Sequence, residues 1–481
     1  RKHVSSYKRL AKYTDPNGEE MDVLAVKLKT PHKLEQARTM QRNFAATYLK
    51  DSSRPNREAA LVAYYADGTD DWRLSFVQLE YRTVIDEESG DVKAEAELTP
   101  VRYSFLVGAN EPSHTPKQQF VPLLHSDELP FPPTLDRLKE AFDVEVVTDA
   151  FFEEYREHYK TLTHHVESAL EEDATAQKEF EDKGVTADAF AEKLLGQLVF
   201  LYFLQKKGWL GVDRGDEWGE GPGNFLRQLY EGEYVDYKNF YQDLLEPLFY
   251  DALATDRGSG NYFGRLNCRI PFLNGGLFQP INNVERARVR LDLPNETFGD
   301  IFNTFDRYNF TVREDEPLDK EVAVDPEMLG KVFEKMLDAD QRKEKGAFYT
   351  PRDVVYYMCQ QSLIDHLDTE LNVCDKPLRP VETQQQDAFR GGAPQQGVLS
   401  GEDYNPQVKR AYLEALVRDG PSWIEHDTRV RDRDADKGKY SDYEAPSPIR
   451  KHARAIDAAL SDVRICDPAV GSGAFPVGLM Q

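Results

Sequence analysis

Cys466-Asp467-Pro468-Ala469-Val470-Gly471-Ser472-Gly473-Ala474-Phe475 is the stretch on which the reading of this chain turns. Ahead of it, Val463-Arg464-Ile465 is short and largely apolar and predicts a buried strand ending at Asp467. Behind it, Pro476-Val477-Gly478-Leu479-Met480 predicts the first turn of a helix, because proline is tolerated where its missing N–H has no intrahelical partner. Strand, glycine-rich turn and helix start form the geometry that lets a backbone approach an adenosine-containing cofactor. Gly471 and Gly473 remove the side chains that would block that approach and reach positive φ at little cost. A lone Gly-x-Gly occurs in many βα turns for structural reasons alone. The longer string Asp-Pro-Ala-Val-Gly-Ser-Gly-Ala-Phe is far more specific.

A second stretch lies upstream. Lys345-Gly346-Ala347-Phe348-Tyr349-Thr350-Pro351 is followed by Val354, Val355, Met358, Ser362 and Leu363 at helical spacing. The two strings together resemble the S-adenosylmethionine-binding motifs of adenine-modifying DNA methyltransferases. In that family a Gly-x-[FY]-[YF]-Thr-Pro string precedes the Asp-Pro-x-x-Gly-x-Gly string, the order found here.

Composition bounds the rest. A chain of 481 residues predicts roughly three domains, at about 150 residues per domain. An apolar fraction of 40% with 11% aromatics is enough for sizeable cores, so disorder is not the expectation. Cys268, Cys359, Cys374 and Cys466 are scattered without a Cys-x-x-Cys pair, which argues against a zinc site or disulfide framework and fits a reducing, cytoplasmic setting. No apolar run of membrane-spanning length and no signal peptide is present. The formal net charge of −25 opposes long-range attraction to DNA. Three explanations stand: basic residues gathered on one face, a DNA-gripping region outside this chain, or a salt-rich host.

Along the chain, residues 1–130 read as an N-terminal α/β domain. Val23–Leu28, Ala59–Tyr65, Trp72–Tyr81 and Tyr103–Gly108 are strand-like, and Leu34–Tyr48 has helical spacing with Arg38 and Arg42 on one face. A PD-(D/E)xK nuclease would need two carboxylates for Mg²⁺ and a nearby lysine. The nearest approach is Asp67 with Glu80-Tyr81-Arg82, where arginine stands in place of lysine. Strand ends commonly carry such residues, so no nuclease site and no metal ligand is assigned, and Mg²⁺ enters only if a nuclease domain is present.

Pro130-Phe131-Pro132-Pro133 marks a boundary before a helical connector domain over 131–320. Leu135–Phe142 and Asp149–Thr163 are amphipathic. Ala187–Leu204 is apolar nearly all round, which predicts a buried core helix. Phe225–Glu231 and Phe240–Ala254 are helical, and Asp325-Pro326-Glu327 opens a helix over Lys331–Leu337. Residues 321–481 begin a third domain, interrupted by an insertion over 376–448. Gln384-Gln385-Gln386 and the charge-dense Arg429–Lys437 mark it as solvated, with one helix near Val408–Leu416.

With these segments in place the family can be given. From about residue 185 the chain is similar to the helical connector and methyltransferase start of type IIG restriction–modification enzymes, which fuse a nuclease, a methyltransferase and a DNA-sequence reader. Besides the two cofactor strings, the resemblance rests on Phe200–Gln205, Pro271–Phe278, Tyr308-Asn309-Phe310-Thr311 and Asp325–Gly330. More loosely, it includes residues 21–110 through Asp71–Phe76. It implies an overall fold that is α/β and mostly α: an N-terminal α/β domain, a helical connector, and the start of a Rossmann-like class I methyltransferase domain. It also implies S-adenosylmethionine as cofactor and double-stranded DNA as partner. Phe348, Tyr349, Thr350 and Pro351 would then line the methionine end of the cofactor. Asp467 would accept from its amino group, Pro468, Ala469, Gly471 and Gly473 would offer backbone at close range, and Phe475 would pack beside the pocket.

One element of the family is missing. Amine methylation there uses an Asn/Asp-Pro-Pro-Tyr/Phe string to hold the flipped base, and Asn405-Pro406-Gln407 does not match it. No catalytic residue is therefore assigned. The expectation is an N-terminal part of a longer enzyme, completed by methyltransferase and target-recognition regions in the same polypeptide or another subunit. Two alternatives remain open: a modification subunit of a multi-subunit restriction system, and a non-catalytic helical scaffold with a relic cofactor pocket. The aromatic α/β region before residue 130 weighs against the first, since such subunits usually open with a helical domain.

Overall fold

The computed structural model describes residues 3–31, 34, 38–50, 59–85, 92–125, 132–258, 260–273, 276–311, 319–324, 350, 352–372, 408–418, 420, 423, 427, 445–467 and 474–480. These fall into two compact units, Arg1–Asp338 and Ala339–Gln481. The boundaries read from the sequence at 130 and 320 both lie inside the first unit. Asp325–Gly330, the helix expected over Lys331–Leu337 and most of the 376–448 insertion lie outside the described residues.

The first unit opens with a mixed six-stranded sheet. Its strands are β1 (Val4–Thr14), β2 (Glu20–Leu28), β3 (Ala59–Ala66), β4 (Trp72–Ile85), β5 (Val92–Val107) and β8 (Asp319–Glu321), in that spatial order. β1 and β2 form an antiparallel hairpin, and β2 and β3 run parallel through a crossover that contains helix α1 (Arg38–Leu49). β3, β4 and β5 are antiparallel neighbours, and β8 closes the edge parallel to β5. The four strands expected from the sequence are present as β2 to β5.

Both faces of the sheet are covered. On one face Leu24, Val26, Val62 and Tyr64 pack under Ala45 and Leu49 of α1. On the other, Met21, Ala59, Phe76 and Phe105 run into the core of the helical region. Sheet and helices therefore share one continuous core across residue 130. A side-chain tie crosses the same boundary: the Asp15 carboxylate, in the β1–β2 turn, accepts from the Leu135 amide at 3.1 Å as well as from Asn17 and Glu19.

The helical region contains α2 (His114–His125), α3 (Leu135–Glu140), α4 (Val144–Glu172), α5 (Ala174–Lys183), α6 (Ala187–Lys206), α7 (Phe225–Tyr230) and α8 (Asn295–Phe305). Caps written in the sequence set the ends. Asp173 accepts from Thr175 and Ala176 to start α5, Gly184 ends it at φ 62°, and Thr186 caps α6 through Ala189. Helix α6 is buried on nearly every side, as its all-round apolar sequence predicts. Tyr155 of α4 and Phe305 of α8 stack with centroids 6.4 Å apart. Phe240–Ala254 winds as two π-helical turns, Tyr241–Leu245 and Leu248–Leu253. A two-stranded ribbon follows, β6 (Tyr262–Phe263) with β7 (Cys268–Arg269).

The strip Tyr308-Asn309-Phe310-Thr311 returns the chain from the helices to the sheet. The Asn309 side-chain amide donates to the Leu106 carbonyl, and the Asn309 carbonyl and Thr311 amide pair with Val324. β8 follows this strip and carries two acids into a buried charged cluster. Arg102 of β5, 0% exposed, grips Asp319, 1% exposed, with Nη2 at 2.8 and 2.9 Å from the two carboxylate oxygens. Arg73 of β4 donates to Glu321 at 2.9 Å, to Ser104 and to the Leu34 carbonyl. Gln41 of α1 accepts from Arg102 at 2.7 Å, and Arg38 stands 3.5 Å from both acids. Burial alone would raise the Glu321 carboxyl, but Arg73 and Arg38 outweigh it and hold the group at about 2. Burial acts against the charge on Arg102 and lowers its pKa despite Asp319.

The second unit contains helices α9 (Arg352–Asn372), α10 (Ser447–Ser461) and α11 (Ala474–Met480), with a helical segment over 410–418. Leu367 and Leu371 of α9 pack with Ile449 and Ile456 of α10 and with Val408 and Leu413. Asn372 copies a backbone pairing, donating to the Val408 carbonyl at 2.7 Å and accepting from its amide at 3.0 Å. No helix among the described residues is long and apolar enough to cross a membrane.

Candidate functional site

The cofactor reading concerns the second unit. Thr350 is half-buried and stands just before α9. Phe475 lies in the first turn of α11 and is half-buried, as is Asp467. The helices that follow the two strings pack directly on each other. The Cys359 thiol of α9 lies 3.6 Å from the Phe475 carbonyl of α11. Gly478 makes the approach possible, since a Cβ there would stand 3.0 Å from Val355 Cγ1 and 3.1 Å from Cys359 Sγ. Burial raises the Cys359 pKa, consistent with a thiol sealed in the seam.

Of the ten residues named from the sequence, Thr350, Asp467 and Phe475 are described. Phe348, Tyr349, Pro351, Pro468, Ala469, Gly471 and Gly473 lie outside the described residues. The donor chemistry of the three fits the amino-acid end of a cofactor: a carboxylate for an ammonium, a hydroxyl, and a ring for apolar surface.

The strand expected over Val463–Ile465 is a correction. Residues 463–467 carry no ladder pairing, and Ile465 is 54% exposed. A strand is held by hydrogen bonds to a neighbour, and none of the described strands pairs with this segment. Its apolar residues alone do not bury it.

The nuclease-like residues of the first unit do not form a site. Asp67 is in the β3–β4 turn, 82% exposed and 2.7 Å from Lys27. Glu80 lies eight residues along β4 from Trp72, at the far end of the β3–β4 pairing. At about 3.3 Å per residue the two backbones are roughly 26 Å apart, whereas carboxylates sharing a Mg²⁺ bind at about 2.0–2.1 Å. Among the described residues no group of three or more His, Cys, Asp or Glu is placed to hold a metal ion. The prominent polar feature of the sheet is instead the Arg38, Arg73, Arg102, Asp319 and Glu321 cluster, which sequence reading missed. The resemblance at Asp71–Phe76 was a signal for it, because Arg73 sits in that string. Burial of Arg102 and Asp319 leaves them no access to a substrate, so the cluster fastens β8.

No family model matches the chain, and no solved structure matches it. It is 34% identical over 186 residues to a protein of Methanocaldococcus jannaschii provisionally named a type II restriction enzyme and methyltransferase. That match covers 36% of this chain and 14% of the relative, so the matched part spans about one seventh of the relative's length. Over that part, the chain is related to a restriction–modification protein.

Proposed function

We propose that this chain is part of a restriction–modification enzyme that moves a methyl group from S-adenosylmethionine to the amino group of adenine in duplex DNA. The observation that carries the reading is the pair of strings, Gly346–Pro351 and Asp467–Phe475, in the family's order. The packing of α9 on α11 supports it, because a shared pocket needs the two segments in one unit.

The cofactor supplies an activated methyl group. Asp467 would accept a charge-assisted hydrogen bond from its ammonium. Phe348, Tyr349, Thr350 and Pro351 would line the methionine end, Phe475 would give an apolar wall, and Pro468, Ala469, Gly471 and Gly473 would let the backbone come close. Holding the donor in one orientation supplies the proximity part of the rate. The residues that hold a flipped adenine are those of the Asn/Asp-Pro-Pro-Tyr/Phe string, which this sequence does not contain. The 481-residue chain by itself is therefore expected to transfer no methyl. That absence also favours a second reading, a helical scaffold with a relic pocket.

Photo-crosslinking with labelled S-adenosylmethionine, followed by peptide mapping, separates the two. Label on peptides spanning 346–351 and 467–475 supports the enzyme. Label elsewhere, or none, overturns it in favour of the scaffold.

A further inference from the structure

We infer that the seam between α4 and α8 is a pH-sensitive clamp, closed while His158 and His165 are neutral and loosened when they take up protons. Two rungs cross it. The His158 ring shares a hydrogen bond of 2.7 Å with the Thr304 hydroxyl through Nε2. The His165 ring shares one of 2.8 Å with the Thr297 hydroxyl through Nδ1. The histidines are seven residues apart on α4, and the threonines are seven apart on α8 in the opposite order. Two antiparallel helices therefore meet twice along one line, at points about 10 Å apart. Leu162 and Ile301 fall between the rungs in sequence and are fully buried, and Tyr155 stacks on Phe305 just beyond the first rung.

The threonines make the rungs sensitive to charge. Thr297 and Thr304 are each 5% exposed, and both histidines are half-buried. A neutral imidazole offers one donor and one acceptor, so either partner of a rung can donate. A protonated ring has two donors, and each hydroxyl can then only accept from its histidine. For Thr304 that role is contested, because its oxygen already accepts from Arg307 Nη2 at 3.3 Å. A charged ring held in the seam also gives up water that it keeps in the unfolded chain.

The groups facing the rungs set the balance. Burial lowers the His158 pKa below the ordinary 6.5, Glu154 of α4 and Asp300 of α8 pull it up, and Arg307 pushes it down. Glu154 is already engaged by Arg307 and by the Tyr308 hydroxyl. Burial lowers His165 as well, and His164 beside it on α4 acts in the same direction. Glu296, next to Thr297 on α8, is exposed. On the α6 side, Asp188 and Glu192 act on Tyr159.

A histidine whose pKa is lowered on folding stabilises the fold above 6.5, and that contribution is lost as the pH falls from 6.5 through the folded value. The ratio of folded to unfolded chain falls by at most about tenfold per pH unit for each histidine kept neutral. This window lies above that of Glu321, so the two are separable. α8 is followed by Tyr308–Thr311, the strip that pairs with Val324, so the seam also holds the chain's return to the sheet.

The test is thermal melting of the 481-residue chain between about pH 8 and about pH 5.5, either side of the ordinary histidine value. Wild type is compared with His158→Gln/His165→Gln, whose amides keep a hydrogen bond but do not titrate. Wild type is expected to lose melting temperature below pH 6.5, and the Gln variant to stay level from a lower start. A level wild-type profile overturns the inference, as does a Gln variant that falls as steeply. Hydrogen exchange on the wild type alone gives a second reading should the variant fail to fold. Corrected for intrinsic exchange rates, amides of α4 and α8 are expected to lose protection below pH 6.5 while those of β2 to β4 keep theirs. Equal loss in all of these elements, or loss in none, overturns the clamp.

Discussion

The thiol of Cys359 and the backbone carbonyl of Phe475 lie 3.6 Å apart although 116 residues separate them in the sequence. That contact joins the helix after Gly346–Pro351 to the helix after Asp467–Gly473. It depends on a missing side chain, because a Cβ at Gly478 would stand 3.0 Å from Val355 Cγ1 and 3.1 Å from Cys359 Sγ.

Thiol chemistry reads this seam directly. Cys466 is exposed and Cys359 is buried, with its pKa raised by burial. Alkylation followed by peptide mapping is expected to modify Cys466 first and Cys359 slowly. Gly478→Leu pushes α11 off α9 and is expected to raise Cys359 labelling several-fold while leaving Cys268, in the other unit, protected. Equal labelling of Cys359 and Cys466 in the wild type would mean that the helices do not pack as described.

The charged cluster under α1 predicts a large asymmetry. Asp319→Ala leaves Arg102 buried without its two-oxygen partner, and breaking a buried pair in this way costs about 3–5 kcal/mol. Arg102→Leu/Asp319→Leu removes both charges and is expected to recover much of that loss. Urea melts of the three proteins decide it. A double variant as unstable as Asp319→Ala would show that packing, rather than the uncompensated charge, sets the cost.

Glu321 gives the pH dependence. Its carboxyl is held at about 2 in the folded chain, below its ordinary value of 4.5. A lowered folded pKa stabilises above the unfolded value, so the contribution is complete above about pH 5 and fades as the pH falls from 4.5 towards 2. A shift of this size is worth about 3 kcal/mol. Thermal melts from pH 7 to pH 3 are expected to show a steep acid limb that Glu321→Gln flattens, from a lower starting stability. A parallel acid limb in the variant would assign that loss to other carboxylates.

What could be read beforehand follows from where the information lies. β2 to β5 carry β-branched and aromatic runs and α6 is apolar nearly all round, so those elements were legible, whereas α5 was not read although Asp173 and Gly184 mark its ends. β1 was not, because Ser5, Ser6, Lys8, Arg9 and Lys12 are an edge strand's solvated residues. Asp319-Lys320-Glu321 looks like a charged turn. It is a strand because Arg102 and Arg73, 217 and 248 residues away, supply its partners. Val463–Ile465 failed in the opposite direction, since apolar content does not provide a neighbouring strand. The segments proposed to hold the cofactor were identified as strings, whereas the seam between α9 and α11 rests on a long-range contact that no local pattern encodes.

The last prediction compares two aspartates that differ in setting. Asp467 is half-buried, at the end of the segment 463–467 that carries no ladder pairing, and is the residue proposed to meet the cofactor ammonium. Asp67 is 82% exposed in a turn of the other unit, paired with Lys27. A hydrogen bond to a charged group contributes about 1.5–3 kcal/mol, and about 1.4 kcal/mol is a factor of ten. Asp467→Ala is therefore expected to weaken S-adenosylmethionine binding by about 10- to 100-fold, while Asp67→Ala leaves it unchanged. Competition against a fluorescent cofactor analogue measures both variants on one scale, even where binding is weak. Asp467→Asn adds a further check: it keeps the shape and one acceptor oxygen but not the charge, so it is expected to fall between wild type and alanine. Normal binding by Asp467→Ala would remove the residue from the pocket, and with it the assignment of the stretch on which the reading of this chain turns.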